Sequence, residues 1–160
     1  MKYSAIALLI IVFGGALFYF SSSKNAQAPE TDTITTSAII GSSTMLTLTS
    51  SAFRQDSSVP PKYTCDGKNT VPPLSISGVP ENAQSLVLIM DDPDIPESVK
   101  KSRSIDVFDH WLVFNIPTDT KVIEEGKEPQ GVLGKNGAGE LGYRGPCPPD
   151  REHRYFFKLY

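Results

Sequence analysis

The chain has 160 residues, of which 39% are hydrophobic and 21% are charged, and its formal net charge is −3. This is the composition of an ordinary globular protein, and the length allows one domain once the N-terminal segment is set aside. The charge is too small and of the wrong sign for a nucleic-acid partner, which a basic surface would indicate. Thirteen prolines and twelve glycines favour a turn-rich, strand-rich fold over a helical bundle.

The N-terminus has the features of an export segment. Lys2 precedes an unbroken apolar stretch at residues 5–20, AIALLIIVFGGALFYF. Its length is near the lower limit for a membrane-spanning helix and exceeds that of a common signal-peptide core. We expect residues 1–23 to form an N-terminal hydrophobic helix that anchors an extracytoplasmic body in the membrane. The alternative is a signal peptide cleaved near Ala28, which would leave a secreted or periplasmic protein.

The remainder divides into a linker and a folded body. Residues 24–44 are rich in Ser, Thr and Ala without a sustained apolar period, which predicts a flexible linker. Residues 45–160 alternate short apolar runs with loops rich in glycine and proline, and the one helical candidate is residues 96–103. This pattern predicts an antiparallel β-sandwich with little helix. The strand candidates are residues 45–53, 84–90, 110–116 and 154–160, the last with Tyr155, Phe157 and Leu159 on one face.

Acids and imidazoles stand at the ends of these strands. Asp91, Asp92 and Asp94 close one strand, whereas His110 and His153, the two histidines of the chain, open two others. Aspartates there commonly form turns, and such histidines commonly make structural hydrogen bonds. Together the same side chains suit an anion pocket, in which protonated imidazoles meet the ligand, or a divalent metal site. Nucleophilic catalysis is less favoured because no G-x-S-x-G motif occurs.

Cys65 and Cys147 complete the set of candidate residues. An even cysteine count outside the cytosol permits a disulfide between them, and the alternative is two buried free thiols.

Three ordered motifs resemble the phosphatidylethanolamine-binding protein family, in its prokaryotic Raf-kinase-inhibitor-like branch. The first is D-P-D-x-P at residues 92–96, and the second is a strand that begins His-Trp at residue 110. The third is GYRGPCPPDREHRYFFKLY at residues 142–160, and KYTCDGKNTVPPL at residues 62–74 fits the same branch. The similarity covers residues 45–160.

The resemblance implies a mainly β fold with two antiparallel sheets and a small preformed anion pocket. Members of the family bind phosphate-like groups, including phospholipid headgroups, and some inhibit kinases or serine proteases. No settled catalytic activity, cofactor or metal is implied for the prokaryotic branch. Carried over by motif, the ligand-binding residues would be Asp92, Asp94, His110, Gly145, Pro146, His153 and Tyr155.

Within the resemblance, His110 and His153 would meet the anion oxygens, and the aspartates would orient the imidazoles or meet an ammonium group of the ligand. Gly145 would let the backbone approach the ligand, and Pro146 would stiffen that wall. The sequence departs from the family at Arg144, where glycine is frequent. The family also continues beyond residue 160, so the resemblance implies a domain truncated at its C-terminus.

Three functions follow as hypotheses. The first is a binding domain that holds a small anionic ligand. The second is an inhibitor or regulator of a protease or kinase, which would use the loops at residues 131–149 or 95–108. The third is a metal-dependent hydrolase built on Asp92, Asp94, His110 and His153.

Overall fold

The computed structural model describes residues 6–9 and 45–160, which belong to one compact unit. Its strands in chain order are β1 (Ile6–Leu9), β2 (Thr47–Thr49), β3 (Ser57–Ser58), β4 (Leu74–Ser77), β5 (Leu86–Asp92), β6 (Phe108–Ile116), β7 (Val122–Ile123), β8 (Val132–Leu133) and β9 (Arg154–Leu159). A 3₁₀ turn, Pro61–Tyr63, lies between β3 and β4, and a helix, α1 (Glu97–Arg103), lies between β5 and β6. The predicted mainly β fold with little helix is confirmed.

The strands form two sheets. A six-stranded sheet has the order β3-β1-β9-β5-β6-β8, and a three-stranded sheet has the order β2-β4-β7. Every pairing is antiparallel except that of β1 with β9, which is parallel. The central strands β5, β6 and β9 therefore bring the ends of three distant segments to one region of the sheet.

The core is built from the inward faces of the strands. In β9, Tyr155, Phe157 and Leu159 are buried while the residues between them are less so, as the alternating pattern predicts. Trp111 from β6 and Leu88 from β5 are fully buried in the same cluster. The helix α1 buries none of its residues completely, and the residue after it, Ser104, has a left-handed backbone with φ 54°.

The predicted N-terminal hydrophobic helix is not supported. Ile6–Leu9 form a strand beside β9, from Ile6 opposite Arg154 to Leu9 opposite Phe157. A short apolar run does not by itself distinguish helix from strand, and pairing here occupies the backbone groups along one edge of β9. The rest of the segment at residues 1–23 and the predicted linker at residues 24–44 lie outside the described residues. Across residues 6–9 and 45–160, no helix has the length and apolar character that crossing a bilayer requires.

Candidate functional site

A cavity of about 300 Å³ opens where β5 and β6 meet helix α1 and the loop before β9. Its wall combines apolar side chains with histidines, an aspartate and two arginines. The lining residues are Asp92, Ile95, Pro96, Val99, Arg103, Phe108, His110, Arg144, Cys147, Pro148, Pro149, His153 and Tyr155. The cavity therefore contains four of the seven predicted ligand-binding residues, namely Asp92, His110, His153 and Tyr155.

A β-bulge directs His110 into this cavity. Trp111 pairs with Met90 and Asp109 pairs with Asp91, so His110 is an extra residue in β6 without a partner in β5. Adjacent residues of a regular strand point to opposite faces, but His110 and Trp111 are both buried. The bulge thus redirects the imidazole towards the site, as bulges beside binding sites commonly do.

The surroundings of His110 determine its tautomer. Its Nδ1 lies 2.7 Å from the backbone oxygen of Arg144, and the Arg144 backbone N–H donates to the His110 oxygen at 2.9 Å. A carbonyl oxygen only accepts, so Nδ1 carries the hydrogen. Burial lowers the pKa of His110, which is 5% exposed, so the ring is neutral at neutral pH. Nε2 is therefore a hydrogen-bond acceptor with no partner among the described residues.

His153 is in a different environment, because carboxylates flank both ring nitrogens. Nδ1 lies 2.7 Å from Asp92 Oδ2, and Nε2 lies 2.9 Å from Asp150 Oδ1. Ionised carboxylates only accept, so a hydrogen on either ring nitrogen is donated to one of them. The bond to His153 lowers the pKa of the Asp150 carboxyl, which is on the surface. A ligand oxygen could reach His153 only by displacing Asp150.

The two aspartates of the D-P-D-x-P motif have separate roles. Asp92 Oδ1 accepts the Asp94 backbone N–H at 2.8 Å, so Asp92 both forms the turn and orients His153. Asp94 lies outside the cavity wall, where Arg154 donates to its two oxygens from Nε and Nη2, each at 2.8 Å. The Arg154 side chain lowers the pKa of Asp94 to about 2. Asp94 thus ties the turn to β9.

Asp91, the third aspartate of this stretch, belongs to β5 itself. As the neighbour of Asp92 in a strand it points to the opposite face, where Lys158 Nζ donates to its Oδ2 at 2.5 Å.

The segment before β9 is fastened to the turn that follows Pro61–Tyr63. A disulfide joins Cys65 and Cys147, and the Cys65 backbone N–H donates to the Pro146 oxygen at 3.0 Å. Gly145 donates its N–H to Asn69 Oδ1 at 2.7 Å, and a Cβ on Gly145 would lie 2.3 Å from the Tyr63 oxygen. Gly145 and Pro146 are buried and lie outside the cavity wall, which Arg144, Cys147, Pro148 and Pro149 form instead. Glycine at 145 thus permits close packing of two backbone segments.

Tyr155 lies at the inner wall of the cavity, between the two histidines. Its ring is edge-on to His110, with centroids 5.1 Å apart, and stacks on His153 at 6.4 Å. The side chain is 0% exposed, and within the part of the chain that the structure describes its hydroxyl has no hydrogen-bond partner. Burial, with the nearby Asp92 carboxylate, raises the pKa of Tyr155, so the hydroxyl keeps its hydrogen.

Three charged residues of the site were not among the predicted ligand-binding residues. Arg103, at the end of α1, and Arg144 contribute guanidinium groups to the wall, and Asp150 contacts His153. Arg103 donates to the Gly137 oxygen at 3.1 Å, and Arg144 pairs with Glu140 at 2.9 Å. The sequence contained only weak signals for these residues. Arg144 departs from the family pattern, and Asp150 lies three positions before His153.

The four residues of the metal hypothesis are not arranged as a metal site. Asp94 is held by Arg154, and His153 lies between two carboxylates. No group of three or more His, Cys, Asp or Glu side chains suited to a metal ion occurs within residues 45–160 and 6–9.

The fold and the cavity together define a mainly β domain with a small, partly charged pocket at one end of its larger sheet. A family model for phosphatidylethanolamine-binding protein matches residues 49–160. The chain therefore belongs to the phosphatidylethanolamine-binding protein family.

Two relatives and two solved structures illustrate this membership. A UPF0098 protein of Methanothermobacter thermautotrophicus is 50% identical, over 72% of this chain and 75% of its own length. A UPF0098 protein of Chlamydia trachomatis is 47% identical, over 71% of this chain and 73% of its own length. The crystal structure of a phosphatidylethanolamine-binding protein homologue, CT736 of Chlamydia trachomatis, matches with a TM-score of 0.65 at 45% identity, over 74% of this chain and 75% of that one. The crystal structure of E. coli YbcL, a member of the mammalian PEBP family, matches with a TM-score of 0.63 at 32% identity, over 72% of this chain and 75% of that one.

Proposed function

We propose that this protein is a binding domain that holds a small phosphate- or carboxylate-bearing ligand in the cavity between His110, His153 and Tyr155. The observation that carries the proposal is the Tyr155 hydroxyl, which is fully buried and has no partner in the described chain. A buried hydroxyl without a hydrogen bond is costly, so such a group at a cavity wall indicates a ligand or water that completes it.

The charges around the cavity support an anion as the ligand. Arg103 and Arg144 are on its wall, and guanidinium groups bind phosphate and carboxylate through directed hydrogen bonds. Ile95, Val99 and Phe108 supply an apolar side, which suits an organic group attached to the anion. The name of the family refers to a phospholipid, and a phosphate in its headgroup fits the same chemistry.

The test is a calorimetric titration of the protein with inorganic phosphate, before and after Tyr155→Phe. We expect saturable binding by the wild type at millimolar phosphate or below, and roughly fivefold weaker binding by the variant because one hydrogen bond is lost. Tyr160→Phe is the matched control, since Tyr160 is 52% exposed, and it should leave the affinity unchanged. Absence of phosphate binding by the wild type would contradict the proposal. Capture of a protein partner that survives Tyr155→Phe would favour the inhibitor hypothesis.

We also propose that the domain works outside the cytoplasm. The Cys65–Cys147 disulfide supports this, because such bonds persist in oxidising compartments and are rare in reducing ones. Alkylation of free thiols in intact source cells should leave both cysteines unmodified, and their modification would argue against export.

A further inference from the structure

The hydrogen-bond donors and acceptors at the inner end of the cavity are unequally available. His110 has used its one N–H on the Arg144 oxygen, so Nε2 can only accept. Asp92 is a second acceptor, because its oxygens have lone pairs beyond those used by Asp94 and His153. Both ring nitrogens of His153 are already engaged by Asp92 and Asp150. Among residues 6–9 and 45–160, the uncommitted donor at this end is the Tyr155 hydroxyl.

An anion without hydrogens fits this arrangement poorly. One of its oxygens can accept from Tyr155, but another would face the lone pair of His110 Nε2. A buried acceptor left without a donor costs free energy, and two facing lone pairs repel. A ligand that retains one hydrogen satisfies both groups at once.

We propose that the cavity selects an anionic group that keeps at least one hydrogen, such as inorganic phosphate near neutral pH or a singly protonated phosphomonoester, over an equally sized anion that has none. His110 is the specificity-determining residue and accepts the ligand hydrogen at Nε2, while Tyr155 donates to a ligand oxygen. This inference rests on the proposed function and specifies the protonation state of its ligand.

The charged groups around His110 allow selectivity by hydrogen bonding to be distinguished from simple electrostatic attraction. Facing it are Asp92 from β5, His153 and Tyr155 from the start of β9, Arg144 from the preceding loop, and Arg103 across the cavity on α1. If attraction to the arginines decided selectivity, an anion with two charges and no hydrogen would bind more tightly than an anion with one charge that keeps a hydrogen. Hydrogen-bond complementarity predicts the opposite order.

Phosphate and sulfate provide the comparison, because they have the same shape and only phosphate keeps a hydrogen near neutral pH. The full chain, in detergent where needed, is titrated with each anion at constant ionic strength, at about pH 6 and about pH 8. We expect phosphate to bind at least about tenfold more tightly than sulfate at the lower pH. Inorganic phosphate keeps a hydrogen at both pH values, so its advantage over sulfate should persist at the higher pH. The affinity for a phosphomonoester such as phosphoethanolamine should instead fall at the higher pH, because its last phosphate hydrogen, with a pKa of about 6, is then lost.

Two variants test the assigned roles. His110→Phe removes the acceptor and keeps a ring, so the preference for phosphate should fall to roughly equal binding of the two anions. Tyr155→Phe removes a donor that serves either anion, so both affinities should fall while their ratio stays. Sulfate binding as tight as or tighter than phosphate in the wild type would overturn the inference and leave the proposed function standing. Failure of the wild type to bind either anion would overturn both.

Discussion

Replacing Cys65 and Cys147 together by serine is expected to lower the free energy of unfolding by about 2–5 kcal/mol. The bridge joins residues 82 positions apart, so it restricts a large part of the unfolded chain. It also fastens the cavity wall at Cys147 to the turn after Pro61–Tyr63, where the Cys65 backbone already bonds to Pro146. Urea denaturation of the wild type and the double variant measures the difference.

Reduction of the wild type supplies the control for this substitution. A reductant should lower the wild-type midpoint nearly to that of the serine variant, and it should leave the variant unchanged. Equal midpoints for the oxidised wild type and the serine variant would contradict a stabilising role for the bridge.

Asp92→Asn is expected to lower the free energy of unfolding by about 2–4 kcal/mol. Asparagine retains an acceptor for the Asp94 N–H but loses the charge opposite His153, which is 1% exposed. The His153 ring would then lose the carboxylate partner of Nδ1, and Asp150, which is near solvent, compensates only in part. Thermal or urea unfolding measures the loss, and the chemical shifts of the His153 ring nitrogens report which of them carries a hydrogen in each variant.

An exposed aspartate provides the matched control for this substitution. Asp106→Asn makes the same chemical change on the surface and should alter stability by no more than about 0.5 kcal/mol. In a double-mutant cycle, Asp92→Asn and His153→Gln together should cost less than the sum of the single changes, because both remove one interaction. Strict additivity would show that the two side chains are not coupled.

Both substitutions act on contacts that also shape the cavity. The disulfide holds the loop that contributes Arg144, Cys147, Pro148 and Pro149, and Asp92 orients the imidazole of His153. Stability and ligand affinity are therefore expected to fall together in these variants. His110→Phe and Tyr155→Phe differ from these substitutions in the atoms that they remove. His110→Phe removes Nδ1, which bonds to the Arg144 oxygen, and the unpartnered Nε2. Tyr155→Phe removes only an unpartnered hydroxyl.

Local patterns in the sequence were sufficient for the longer elements. Alternation in residues 154–160 predicted β9 and its buried face, and the apolar runs predicted the positions of β5 and β6. The helix predicted at residues 96–103 is α1. The two-residue strands β3, β7 and β8 were not predicted, because pairs of residues have no periodicity and form strands only where a neighbour pairs with them. The motif resemblance identified the family, which the matches to residues 49–160 and to solved structures confirm.

The sequence by itself determined the family, the strand-rich class and the residue types that gather at one end of the sheet. Tertiary structure alone decided what each of those residues does. Asp94 pairs with Arg154, 60 positions away, and not with the cavity, whereas Asp92 meets His153 at a separation of 61. His110 enters the cavity only because β6 pairs with β5 through a bulge at that residue. Such roles depend on strand register between distant segments, and a shift of one residue would send each side chain to the opposite face.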